Sequence, residues 1–244
     1  MTTSGTSSFN LELRDIIEEA FERCGAELRT GYDLKTARRS LNLMTIEWAN
    51  RGINLWTIEE GSIPLVTGQA TYNLPVDTID LLEHVIRTNA GDVATQSDIT
   101  ISRISVSTYA AIPNKTAQGR PIQVWVDRQS GATTPTGINY PTINIWPTPN
   151  SPGDQYTFVY WRMKRIGDAG EGGVKTQDIP FRMLPCMVAG LAYYLSMKIP
   201  GAEARTEILK LAYEEQWNLA AGEDREKASI RFVPREFFIG GGGY

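Results

Sequence analysis

The chain has 244 residues, enough for one large domain or two small ones and for a core that needs no covalent staples. Hydrophobic residues make up 41% and charged residues 21%, an ordinary globular composition without an apolar run long enough to span a membrane. The 24 Lys and Arg against 28 Asp and Glu leave a formal net charge of −4, which argues against a free-standing nucleic-acid binder, because phosphate contacts need a basic excess.

The Ser/Thr-rich stretch 1–8 has neither the basic nor the apolar region of a secretory signal, so none is expected. Leu13, Ile16, Ile17, Ala20, Phe21 and Cys24 then recur at steps of three and four, the spacing of one helical face. Asn10 or Ser8 is placed to cap this helix and Gly25 to end it. Asp33 is the expected cap of a second helix with the stripe Leu34, Ala37, Leu41, Met44 and Trp48, stopped by Gly52. The short link 29–32 predicts an antiparallel hairpin of these two helices.

From 55 to 166 the pattern changes to short runs of Val, Ile, Thr and Tyr between Gly, Pro and Asn. Strands are expected at 56–58, 62–66, 71–74, 81–87, 100–104, 122–127, 142–146 and 156–163. Gln123, Trp125 and Asp127 alternate with Val124 and Val126, as in a half-buried strand. The stretch 106–111 reads equally as a helical turn or a strand. Strands without helices between them predict an antiparallel sandwich or barrel.

The Gly-rich segment GDAGEGGVK (167–175) reads as a flexible loop. Asp178 and Pro180 then open a third helix, whose broad apolar face runs through Met183, Leu184, Met187, Val188, Leu191, Ala192 and Leu195. Pro185 either starts this helix proper or kinks it. A fourth helix is expected over 202–221, with Ile208, Leu211, Ala212, Glu215 and Leu219 along its stripe. The end is aromatic and interrupted by Pro234, and finishes in four glycines and Tyr244.

The expected fold is therefore α+β: a four-helix bundle built from the N- and C-terminal helix pairs, an inserted antiparallel β-domain and an extended C-terminal tail. The divisions fall at 1–54, 55–166, 167–228 and 229–244. The missing βαβ alternation excludes a doubly wound nucleotide-binding fold.

Chemistry finds few candidates. Cys24 and Cys186 form neither a disulfide framework nor a zinc ribbon, and read as buried thiols. His84 is the one histidine, which removes His-rich metal sites and leaves a single imidazole as a possible base. Glu18 and Glu19, like Glu214 and Glu215, are adjacent on helices and point apart. Asp77 and Asp80 could flank a glycosidic bond, as in a wall-degrading hydrolase, but read more simply as an acidic turn. The glycine runs lack the Lys-Ser/Thr of a phosphate loop. The aromatics of the β region (Tyr72, Tyr109, Trp125, Tyr140, Trp146 and Tyr160 among them) suit packing first and a carbohydrate-binding face second. No catalytic residue, cofactor or metal is expected.

Three stretches together resemble the head-to-tail adaptor proteins of short-tailed bacteriophages, the family of tubular tail protein A. They are LNLMTIEWANRG (41–52) with LW (55–56), the β-region segments, and the stretch 185–198 with AGLAYYL (189–195). The β-region segments are GQATYNLP (68–75), ISVSTY (104–109), IPNK (112–115), GRP (119–121), WVDR (125–128) and INIWPTP (143–149). No single motif is diagnostic; their order and spacing carry the likeness, which covers about 10–225.

The resemblance implies a virion structural protein at the head–tail junction, assembled in the host cytoplasm. It implies a ring, usually a dodecamer, docked under the portal protein, with the tail nozzle below and double-stranded DNA passing through the lumen without specific binding. Helices would form the ring wall, the β-domain would face the nozzle, and the C-terminal tail would reach the portal. In that tail Arg231, Phe232, Val233, Pro234, Arg235, Phe237, Phe238 and Ile239 have the arginine and aromatic character of interface anchors. An edge strand of the same subunit is the other reading of the tail. A stopper or head-completion protein of the neck, and a carbohydrate-binding β-module, are the alternatives for the whole chain.

Overall fold

The computed structural model describes residues 5–6, 9–29, 31–52, 55–150, 156–170 and 176–224. The aromatic tail and residues 171–175, the second half of the Gly-rich segment, lie outside the described residues.

Four long helices carry the first core: α1 (Leu13–Cys24), α2 (Gly31–Arg51), α4 (Leu184–Ser196) and α5 (Thr206–Glu223); the short α3 (Val106–Ala110) lies in the β region. The stripe expected for α1 is buried in full. Its start differs from expectation. Asn10 accepts the Leu11 N–H instead of capping the helix, and Glu12 and Asp15 form a reciprocal capping box. Gly25, at φ 78°, ends the helix in the left-handed region. In α2 the expected Ala37, Leu41, Met44 and Trp48 are buried, but the helix begins at Gly31, before Asp33. The two N-terminal helices touch each other little, and both lie mainly on α4.

Helix α4 is buried around most of its circumference, with Pro185 in its first turn, where the missing N–H costs nothing. Its small residues set how closely the others approach. A Cβ on Gly190 would stand 2.5 Å from Met44 Sδ and 2.7 Å from the Tyr213 ring, so α2 and α5 both close onto this one position. There the Trp48 indole donates to the Tyr213 hydroxyl at 2.9 Å, and Trp48 meets Trp217 at 5.9 Å between ring centroids.

This seam reverses the reading of α5. Its buried residues are Leu209, Tyr213, Trp217 and Ala220, whereas Ile208, Leu211 and Leu219, expected in the core, are 69%, 72% and 62% exposed. The helix carries two apolar stripes. The aromatic one wins the core because its rings fill the notch at Gly190 and bury more surface.

The β region forms two four-stranded sheets. One has the order β1 (Ile58–Pro64), β10 (Tyr156–Lys164), β3 (Thr78–Thr88), β4 (Ser97–Thr100). The other has the order β2 (Thr71–Asn73), β9 (Thr142–Trp146), β6 (Gln123–Asp127), β5 (Ser102–Arg103), and β7 (Thr133–Thr134) pairs with β8 (Gly137–Ile138) as a small ribbon. Both large sheets feed one apolar cluster that includes Leu65, Ile86, Val124, Ile143 and Phe158. The sheets do not close into a barrel, and they are not wholly antiparallel, because β5 runs parallel to β6. The single strand expected at 100–104 is two, as the chain leaves one sheet after Thr100 and joins the other at Ser102. The expected strand at 56–58 is mostly a 3-10 turn over Leu55–Thr57, and the stretch 106–111 is helical.

Two strands of chain join the helical and β cores. The Trp56 indole donates to the Asp178 carbonyl at 3.1 Å, and Asn42 Oδ1 accepts the Ala169 N–H at 2.8 Å. The start of the Gly-rich segment is thus fastened to α2, with Ala169 buried in the helical core.

Gly190→Ala tests the notch. On helix propensity alone the change would stabilise by about 1 kcal/mol. The clash with Met44 and Tyr213 instead predicts a loss of about 1–3 kcal/mol, read by chemical denaturation.

Candidate assembly surfaces

Asp77 and Asp80, the carboxylates considered for glycosidic chemistry, are committed to ion pairs. Asp77 lies 2.6 Å from Arg162, whose second guanidinium nitrogen is 2.6 Å from Glu59, and Thr78 Oγ1 accepts from the same group at 3.0 Å. Arg162 sits on the inner strand β10, and its side chain is only 8% exposed, so it ties β1, β10 and the start of β3 together. Burial alone would raise the Asp77 pKa, but the Arg162 hydrogen bond and charge outweigh it and hold the carboxyl below the usual aspartate range. Asp80 pairs with Arg103 at 2.7 Å and with Arg128 at 3.3 Å. The structure therefore does not set Asp77 and Asp80 across a cleft as a free acid–base pair.

His84 stacks on Phe158 at 5.9 Å, and its pKa is lowered chiefly by burial. Cys24 and Cys186 are buried free thiols, and burial pushes Cys186 up to about 12, far from the range of a nucleophilic thiolate. Among the described residues no group of three His, Cys, Asp or Glu is placed to hold a metal ion. No described helix is long and apolar enough to cross a membrane.

The aromatics do not gather on one platform. Tyr72 and Tyr160 are in the β core, and Trp146 donates its indole N–H to the Asn114 carbonyl at 2.9 Å. Tyr109 of α3 stacks on Trp125 at 5.2 Å, under the Lys115 ammonium.

Both parts of the molecule carry exposed apolar side chains, among them Val66, Leu82 and Val93 in the β region, and on the helices they fall into continuous surfaces. On α2, Leu43 and Ile46 are 52% and 50% exposed, beside a depression of about 510 Å³ lined by Lys35, Arg38, Arg39 and Asn42. On α5 the second stripe of Ile208, Leu211 and Leu219 is uncovered. Between α1 and the start of α4 runs a groove of about 660 Å³, lined by the apolar Leu11, Phe181, Leu184 and Val188 and by Glu18, Glu19 and Glu22. A cleft of about 360 Å³ separates α2 from the β region, bordered by Ile46, Ala49, Val76, Thr78 and Arg165. Sequence reasoning missed these surfaces. For α2 a signal was present, since Leu43 and Ile46 fall off the stripe that ends in Trp48. For α5 there was none, because either stripe could have been the buried one. Arg231, Phe232, Val233, Pro234, Arg235, Phe237, Phe238 and Ile239 lie outside the described residues.

An α+β chain with Asp77 and Asp80 in structural ion pairs and exposed apolar stripes on its helices has the features of an assembly protein. The model of the SU10 adaptor protein family matches residues 12–234, across both the helical and the β parts. The chain belongs to that family and is a phage head–tail adaptor, in agreement with the likeness read from the sequence. No curated protein matches it.

The sign of the Asp77 shift gives a pH dependence. A carboxyl held low in the folded state contributes stability above its unfolded pKa, and that stability is lost as pH falls through the folded value. Stability should therefore decline below about pH 4, and Asp77→Asn should flatten that decline, in urea titrations at a series of pH values.

Proposed function

We propose that the protein is a non-enzymatic ring subunit of the phage neck, a relative of tubular tail protein A, seated between the portal and the tail nozzle. The observation that carries this reading is the family match over 12–234 in a chain whose helices leave apolar stripes uncovered. A ring subunit needs two unlike flanks that fit each other, and such flanks stay exposed until a neighbour arrives. A dodecamer suits a portal-docked ring.

In this arrangement the two terminal helix pairs act as a four-helix wall, with the division of the chain at 54, 166 and 228. The β insertion faces the nozzle. The tail, with Arg231, Phe232, Val233, Pro234, Arg235, Phe237, Phe238 and Ile239, anchors the ring on the portal, as arginine and aromatic residues commonly anchor interfaces. Genome passage fits the charge. A net −4 per copy, repeated around the ring, favours a duplex that slides over one that is gripped. Assembly in the host cytoplasm and a final place at the virion head–tail junction follow from the same reading.

Removing 229–244 should leave a folded subunit, by circular dichroism, that no longer binds portal rings in a pull-down. Portal binding equal to that of the full chain would sink the anchoring role. Electron microscopy of purified virion necks should place the chain between portal and nozzle.

A further inference from the structure

Helix α2 turns Tyr32, Lys35, Arg39, Leu43, Ile46 and Asn50 outward, all of them exposed. Helix α5, with the turn before it, turns outward Ala204, Ile208, Leu211, Glu215, Leu219 and Gly222, again all exposed. Read backwards from Asn50, the α2 positions step by 4, 3, 4, 4 and 3; read forwards from Ala204, the α5 positions step by 4, 3, 4, 4 and 3. Two helices laid antiparallel with this match keep facing residues in register for about 27 Å, at 1.5 Å per residue.

The facing chemistry agrees at the four central levels. Ile46 meets Ile208 and Leu43 meets Leu211, so each apolar pair covers its partner. One turn further on, Arg39 meets Glu215, and beyond it the Lys35 stem lies along Leu219. Neither Lys35, Arg39 nor Glu215 forms an ion pair among the described residues. The α2 side is a basic depression with Arg38 on its wall.

A chain cannot make this contact with itself. Its own α2 and α5 already meet through their opposite faces, at Trp48, Tyr213 and Trp217.

We propose that the outer stripe of α5 on one copy packs antiparallel on the outer stripe of α2 on the next copy. This contact is the repeating heterologous interface of the oligomer. The proposal rests on the ring reading above and gives it its two flanks.

The test uses the full chain and two surface variants, Leu211→Glu on α5 and Leu43→Glu on α2. Both positions are exposed, so circular dichroism and thermal melting should match wild type. Wild type should assemble with rising concentration in analytical ultracentrifugation, and each variant alone should need at least about thirtyfold more protein to do so. Mixed together, the variants should form a two-copy complex and nothing larger, because one intact α5 meets one intact α2 and both outer ends are blocked. Arg39→Glu should also impede assembly, and Glu215→Arg in the same chain should restore it. Wild-type-like assembly of either variant, or a mixture that stays monomeric, overturns the interface and leaves the ring reading standing. A wild-type chain that stays monomeric at every concentration overturns the interface and the self-assembling ring with it.

Discussion

The architecture depends on how closely two helices approach a third. Helix α4 carries the small residues Ala189, Gly190 and Ala192 in its buried middle, and at Gly190 the absence of a side chain admits Met44 and the Tyr213 ring together. Close packing has no slack at such a point, so one methyl group is felt. The approach also lets the Trp48 N–H reach the Tyr213 hydroxyl in the core, where an unpaired polar group would be costly. Arg51 then lies over both the Tyr213 and Trp217 rings while pairing with Glu214, closing the seam from the solvent side. Because that seam fixes the rotation of α5, it also decides which apolar stripe of α5 is left outside. Core packing and assembly surface are in this sense one decision.

The β region is held by different means. Its cluster is smaller, and its strands are joined across the sheet by Arg162, which satisfies carboxylates from either side of β10. An ionised group so little exposed needs its partners nearby, which explains why the acids of 77–80 work as structural ties. The linkers that lead from the sheets to the helices are fastened on the helical side by directed hydrogen bonds, those of Trp56 and Asn42, in addition to apolar contact.

Much of this was legible in the sequence, for local reasons. The stripes of α1 and α2 each contain a single apolar face broad enough to be the core, so periodicity alone identified them. The strand 142–146 and the alternation around Trp125 were legible because a half-buried strand writes its two faces directly into the residue order. The failures have equally specific causes. At 97–103 one extended run serves two sheets, and no local pattern marks the switch. At the start of α1 the cap is a Glu12–Asp15 pair, while Asn10, the better cap by residue type, bonds one residue on. In α5 two stripes of similar apolarity compete, and only the shape of α4 separates them.

The sequence by itself determined the α+β order, the four long helices and most of the strands, and the likeness to phage adaptors, because composition, period and motif order are properties of the chain alone. Tertiary structure decided which face of α5 is core, how the strands divide between two sheets, and that the tempting carboxylates are tied to arginines. Those outcomes depend on which distant residues meet, as Gly190 meets Tyr213 and Asp77 meets Arg162, and residue order does not record such meetings.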